Sequence, residues 1–98
     1  MIIEQALLQV KPGQSGQFVE AMQRARPLIT AQPGFQSIEV RPAVDASDQY
    51  LLLVGWDCVE SHRDGFRKSP DYPRWRALLH EFYDPMPTVT YFGPSIFS

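Results

Sequence analysis

Leu51-Leu52-Leu53-Val54-Gly55-Trp56, running on through Asp57 and His62-Arg63-Asp64-Gly65-Phe66-Arg67-Lys68-Ser69-Pro70 to Phe82, is the stretch on which the fold of this chain turns. It opens as an apolar run of strand length whose successive residues are hydrophobic on both sides of the pleat, the pattern of a strand covered on both faces. After Trp56 the period becomes helical. Val59, His62, Arg63 and Phe66 share one face of a short helix that Asp57 is placed to cap. Ser69 then reads as the cap of a second helix with Pro70 at its first position, and Tyr72, Trp75, Leu79 and Phe82 form its apolar stripe. Both tryptophans and both histidines of the protein, Trp56, Trp75, His62 and His80, fall within this stretch. A site, if the chain has one, is expected here.

Working outward, residues 2–10 are rich in Ile, Leu and Val and stop at Lys11-Pro12-Gly13, a turn signal. From Ser15, the residues Phe18, Met22, Ala25 and Ile29 recur at helical spacing until Gln32-Pro33-Gly34, with Pro27 removing one backbone hydrogen bond near the end. Phe35 to Arg41 alternates as a strand, and Pro42 to Asp48 is a polar loop leading into the strand at Gln49 to Trp56, so the two form a hairpin. Thr88 to Gly93 closes as a last strand. The order is βαββαβ, a single α+β domain over residues 1–98 in a ferredoxin-like antiparallel sheet of order 4-1-3-2. That order puts the first and third strands at the centre. Both carry apolar residues on both parities, so one face packs helices and the other is expected to meet the sheet of a second subunit, making a homodimer.

Composition narrows the function classes. With 98 residues, a formal charge of -2 and 44% hydrophobic residues, the chain reads as a small globular domain, too short to hold a large pocket without weakening its core. The acidic balance gives no reason to expect nucleic acid, and no apolar run reaches the roughly 20 residues of a membrane span. A single cysteine, Cys58, and an N-terminus without basic and apolar leader regions point to the cytoplasm. Cys58 and His62 stand at helical spacing, but no second pair completes a metal site, so no metal is expected. Arg63, Arg67, Lys68, Arg74 and Arg76 are matched by Asp57, Glu60, Asp64, Asp71 and Glu81 and read together as a solvated surface.

The Val10-Lys11-Pro12-Gly13 turn with the following Phe18, the Gln32-Pro33-Gly34-Phe35 element, the Leu53-Val54-Gly55-Trp56-Asp57 strand end and the segment His62 to Pro70 together resemble the antibiotic biosynthesis monooxygenase (ABM) domain family. The resemblance runs from about Ile3 to Phe92. It implies a dimeric α+β barrel and, as in the characterised enzymes of the family, oxygenation of polycyclic phenols, anthrones or quinols without flavin, metal or other cofactor. Haem-degrading relatives carry an asparagine in the first strand and a histidine in the helix, where this chain has Ala6 and, within one residue, Tyr72; haem degradation is not expected.

The chemistry so implied needs an aromatic cavity and one titratable group, because a deprotonated electron-rich aromatic reduces O₂ by itself. Trp56, Phe66, Trp75 and Phe82 are the candidate walls for a small aromatic ligand. His62 is the candidate base, since an imidazole titrates near neutral pH, and Tyr72 is a second candidate through its hydroxyl. Each also has a purely structural reading: the aromatics as core or interface packing, His62 as a hydrogen-bonded core histidine, and His80, off the Tyr72/Trp75/Leu79 stripe, as an exposed or subunit-contact residue. A noncatalytic ligand-binding dimer and a structural dimer with a filled barrel therefore stand beside the monooxygenase.

Overall fold

The structure, a computed structural model, describes residues 1–97. In chain order it comprises β1 (Ile2–Gln9), α1 (Ser15–Thr30), β2 (Phe35–Pro42), β3 (Gln49–Trp56), a π-helical turn (Ser61–Phe66), α2 (Tyr72–Leu79), a 3-10 turn (His80–Phe82) and β4 (Val89–Phe92). The strands make one sheet in the order β2-β3-β1-β4, the expected order counted from its other edge. All pairings are antiparallel: β1 to β3 from Ile2↔Trp56 to Gln9↔Gln49, β2 to β3 as the hairpin, and β1 to β4 from Ile3↔Phe92 to Ala6↔Val89.

The period-two alternation of the central strands divides the sheet into two faces. Ala6 and Leu8 of β1 and Leu52, Val54 and Trp56 of β3 point to the helices and are buried. Against them α1 lays Phe18, Ala21, Met22, Ala25 and Ile29, the i, i+3, i+4, i+7 stripe of an amphipathic helix. A fully buried Val, Leu, Ile, Phe or Met side chain is worth roughly 1.5–3 kcal/mol, so Leu8, Val54, Phe18 and Ile29 make this layer a large contributor to stability. The helix runs through Pro27 to Thr30. The other face carries Ile3, Leu7, Leu51 and Leu53. Leu7 there is 50% exposed and Phe92 of β4 51%, so apolar surface is left uncovered within one chain.

Two corners position the site. At the first, Gly34 has φ +84, and a Cβ there would lie 2.4 Å from both the Asp57 carboxylate and the Ser61 hydroxyl. The Asp57 N–H donates to the Gly34 carbonyl at 2.9 Å. Only glycine lets the end of β3 and the π-helical turn sit this close. The expected cap is not made: the turn has no side-chain cap on a backbone N–H, and the Asp57 carboxylate accepts the Ser61 hydroxyl instead.

At the second corner the structure corrects the expected helix start. Ser69-Pro70 lies in a turn, and α2 begins at Tyr72, one residue before Pro73. Pro73 has no N–H to give the Ser69 carbonyl, which takes the Tyr72 N–H instead, at 3.3 Å, in a tighter turn. Ser69 Oγ caps nothing and is buried without a partner.

Candidate functional site

The register of the sheet assembles a buried polar group that no single segment displays. Glu4 pairs with Val54 on β3 and with Tyr91 on β4, so Trp56, two residues beyond Val54 on the same face, is its diagonal neighbour. The Trp56 indole N–H donates to Glu4 Oε1 at 2.9 Å. From above, the π-helical turn lowers His62 onto the pair: Nε2 lies 3.3 Å from Glu4 Oε1 and Nδ1 2.5 Å from the Tyr91 hydroxyl. The wide turn is closed by the Arg67 N–H donating to the His62 carbonyl, an i to i+5 bond of the kind often found at functional sites. His62 and Phe66 both point inward from it.

Burial sets the protonation of this group. Glu4, 4% exposed, has its pKa raised from 4.5 to about 7 by desolvation, against a downward pull from the Trp56 hydrogen bond and the Arg67 charge. His62 is lowered from 6.5 to about 4, again by desolvation first and Arg67 second. At neutral pH the pair is therefore a neutral imidazole facing a carboxyl that titrates near physiological pH, and not a fixed ion pair. Two lone pairs cannot face each other, so the state of Glu4 dictates the tautomer of His62. A protonated Glu4 donates to Nε2 and leaves Nδ1–H for Tyr91; an ionised Glu4 takes Nε2–H, and Nδ1 accepts the Tyr91 O–H.

Glu4 and His62 form the inner end of a cleft of about 480 Å³ between the sheet, the π-helical turn, α2 and the segment before β4. That is the range of small-molecule sites, roughly 300–1,000 Å³. Of the sequence candidates, His62, Phe66, Tyr72 and Trp75 line it. Phe66 meets Trp75 and Tyr72 edge to face, with centroids 5.5 and 5.4 Å apart, so these rings brace one another.

The two remaining candidates lie elsewhere. Trp56 is fully buried behind the cleft, packed between Phe35, which meets it edge to face, and the tilted ring of His62, and acts on the site through its N–H to Glu4. Phe82 packs edge to face on Phe18 of α1, 6.1 Å between centroids, and is not among the cleft walls. The helix tightens to a 3-10 turn at His80, which brings Phe82 round to α1 and hands its expected place to Tyr83.

Sequence reasoning missed Glu4, Tyr91 and His80. Glu4 shares parity with Ala6 and Leu8, and that inward parity was the available signal. His80 stands eight residues from Tyr72, on the same face of the helix by i, i+4, i+8 spacing; it lines the cleft, its ring 6.4 Å from that of Tyr72.

A ferredoxin-like α+β domain with an aromatic cleft ending on a buried carboxyl is the class that fold and site define. The family pattern described as antibiotic biosynthesis monooxygenase matches residues 1–78, and the chain belongs to that family. It is 40% identical over 92 residues to the uncharacterized protein YczJ of Bacillus subtilis (strain 168), covering 94% of this chain and 97% of that one. A crystal structure from Bordetella bronchiseptica, assigned to the antibiotic biosynthesis monooxygenases, superposes with a TM-score of 0.92 at 30% identity over 97% of both chains. SnoaB, a cofactor-independent oxygenase from Streptomyces nogalater, shares the fold, with a TM-score of 0.83 at 16% identity over 96% of this chain and 92% of its own.

Proposed function

We propose that the chain is a monooxygenase acting on a small fused-ring phenol, anthrone or quinol in this cleft, with Glu4 as the catalytic base and no cofactor. The observation that carries the reading is the buried Glu4 carboxyl, at the inner end of an aromatic cleft with its pKa near 7. A base of that pKa is half ionised at working pH and strong enough to take a phenolic or anthrone proton. His62, with both ring nitrogens engaged, is a positioning residue for Glu4 and moves its own proton in step with it; Tyr91 is its partner. Phe66, Tyr72 and Trp75 stack the substrate and exclude water.

Anthrone shows that the balance closes. Glu4 removes a proton from the methylene carbon, and the resulting anion passes one electron to O₂. The radical and superoxide combine at that carbon as a hydroperoxide. Removal of the second proton with loss of water leaves the ketone, so anthrone and O₂ give anthraquinone and water. The substrate supplies all the electrons, and SnoaB, with the same fold, is described as cofactor-independent.

The apolar outer face of the sheet, with Leu7 and Phe92 about half exposed, is proposed to meet the same face of a second copy, as the dimeric barrel of the family requires. The function is tested by oxygen uptake with anthrones, naphthols and quinols under ¹⁸O₂, which should place one labelled atom in the product. Saturable binding of these compounds without oxygen uptake would assign the cleft to ligand binding instead.

A further inference from the structure

The charged residues between the π-helical turn and the end of α2 divide into two sets. Arg63 and Lys68 pair with Asp64 at 3.2 and 3.6 Å, and Arg74 pairs with Asp71 at 3.5 Å, all on the surface. Arg67 and Arg76, also exposed, line the cleft at its open side, and among the described residues neither makes an ion pair or a side-chain hydrogen bond. The Arg67 guanidinium lies 5.9 Å from the centroid of the Tyr72 ring. Arg76 follows Tyr72 by one helical turn and precedes His80 by another, so Tyr72, Arg76 and His80 form one wall.

Charge around the cleft is lopsided. Its one carboxyl among the described residues is Glu4, at the inner end and already engaged by Trp56 and His62. Burial first, and then the Arg76 and Arg67 charges, hold the His80 imidazole below its usual range; burial first and Arg67 second do the same to His62, so the nearby charge that both feel is positive. Guanidinium groups beside a partly desolvated aromatic pocket are matched by a planar anion that accepts two parallel N–H bonds.

We infer that the aromatic substrate of this cleft carries a carboxylate, held by Arg67 and Arg76 while the reacting end of the ring system faces Glu4. This rests on the reading of the cleft as a site for aromatic ligands. It narrows the substrate class from neutral polycycles to aromatic acids.

Isothermal titration calorimetry under anaerobic conditions with 6-hydroxy-2-naphthoate and its methyl ester tests the inference without turnover, since the pair differ in charge and little in shape. The acid is expected to bind at least about tenfold more tightly than the ester. Arg76→Gln and Arg67→Gln should each weaken the acid about three- to tenfold and leave the ester unchanged, while Arg74→Gln changes neither. Acid and ester binding within twofold of each other, or Arg74→Gln acting like the cleft variants, would overturn the inference and leave oxygen uptake with neutral quinols untouched. No binding of either compound at millimolar concentration would overturn it too, whereas tight binding of the acid without oxygen uptake would overturn only the oxygenase reading.

Discussion

Glu4 Oε1 lies 3.3 Å from His62 Nε2, and both side chains are 5% exposed. Burial drives their pKa values in opposite directions, so the folded protein has a titration that the unfolded chain lacks. Glu4 binds its proton more tightly when folded, so between pH 4.5 and about 7 the folded state holds more protons and stability falls as pH rises. His62, lowered from 6.5 to about 4, holds fewer protons when folded, and its contribution grows as pH rises through that window. In the native protein the two offset each other. Glu4→Gln removes only the first, so the variant should gain on the native protein by about 2–3 kcal/mol between pH 5 and pH 8. Urea denaturation at the two pH values measures the gain; an equal difference at both would show that Glu4 titrates normally.

Trp56→Phe keeps most of the ring packing and removes the N–H donated to Glu4. The loss should cost about 1–3 kcal/mol. Because that hydrogen bond lowers the Glu4 pKa, the midpoint of any rate controlled by Glu4 should move to higher pH. A denaturation midpoint and a pH profile both identical to the native ones would remove Trp56 from the network.

Gly34→Ala forces a Cβ against Asp57 and Ser61 at a backbone φ of +84. Either effect alone destabilises by about 1 kcal/mol or more, and here the clash also displaces the turn that carries His62. Thermal unfolding of the variant should begin well below that of the native protein; an unchanged Tm would contradict the close approach.

The fold was largely legible because its signals are local. Periods of two and 3.6 located the strands and α1, and the βαββαβ succession supplied the order of the sheet, with which the apolar residues of β1 and β3 on both parities agree. Where the reading slipped, two local rules competed: Ser69-Pro70 is a good helix start, but Pro73 three residues later deprives the Ser69 carbonyl of its partner and moves the start to Tyr72. The site was legible only in part, because it is made by pairings distant in sequence. Glu4 reads as an ordinary strand glutamate until register brings Trp56 and Tyr91 beside it. Arg67 and Arg76 disappear into a balanced charge count, since composition does not tell which of five basic residues turn toward the cleft.

Leu7→Asp places a charge in the middle of the uncovered sheet face, at a residue 50% exposed in the single chain. If that face joins two copies, light scattering should give a dimer for the native protein at micromolar concentration and a folded monomer for the variant. A native monomer, or a variant dimer of unchanged stability, would contradict that arrangement.

The most direct test of Glu4 as the base is the pH dependence of anthrone oxidation by the native protein, Glu4→Gln and His62→Gln, followed as oxygen uptake above the uncatalysed rate. The native rate should rise with pH to a plateau, with its midpoint near the Glu4 pKa of about 7. Glu4→Gln should lose about 10²-fold or more on the plateau and lose the midpoint near pH 7, while His62→Gln loses less and shifts the midpoint. A Glu4→Gln protein that keeps the native rate and pH profile would contradict the assignment outright.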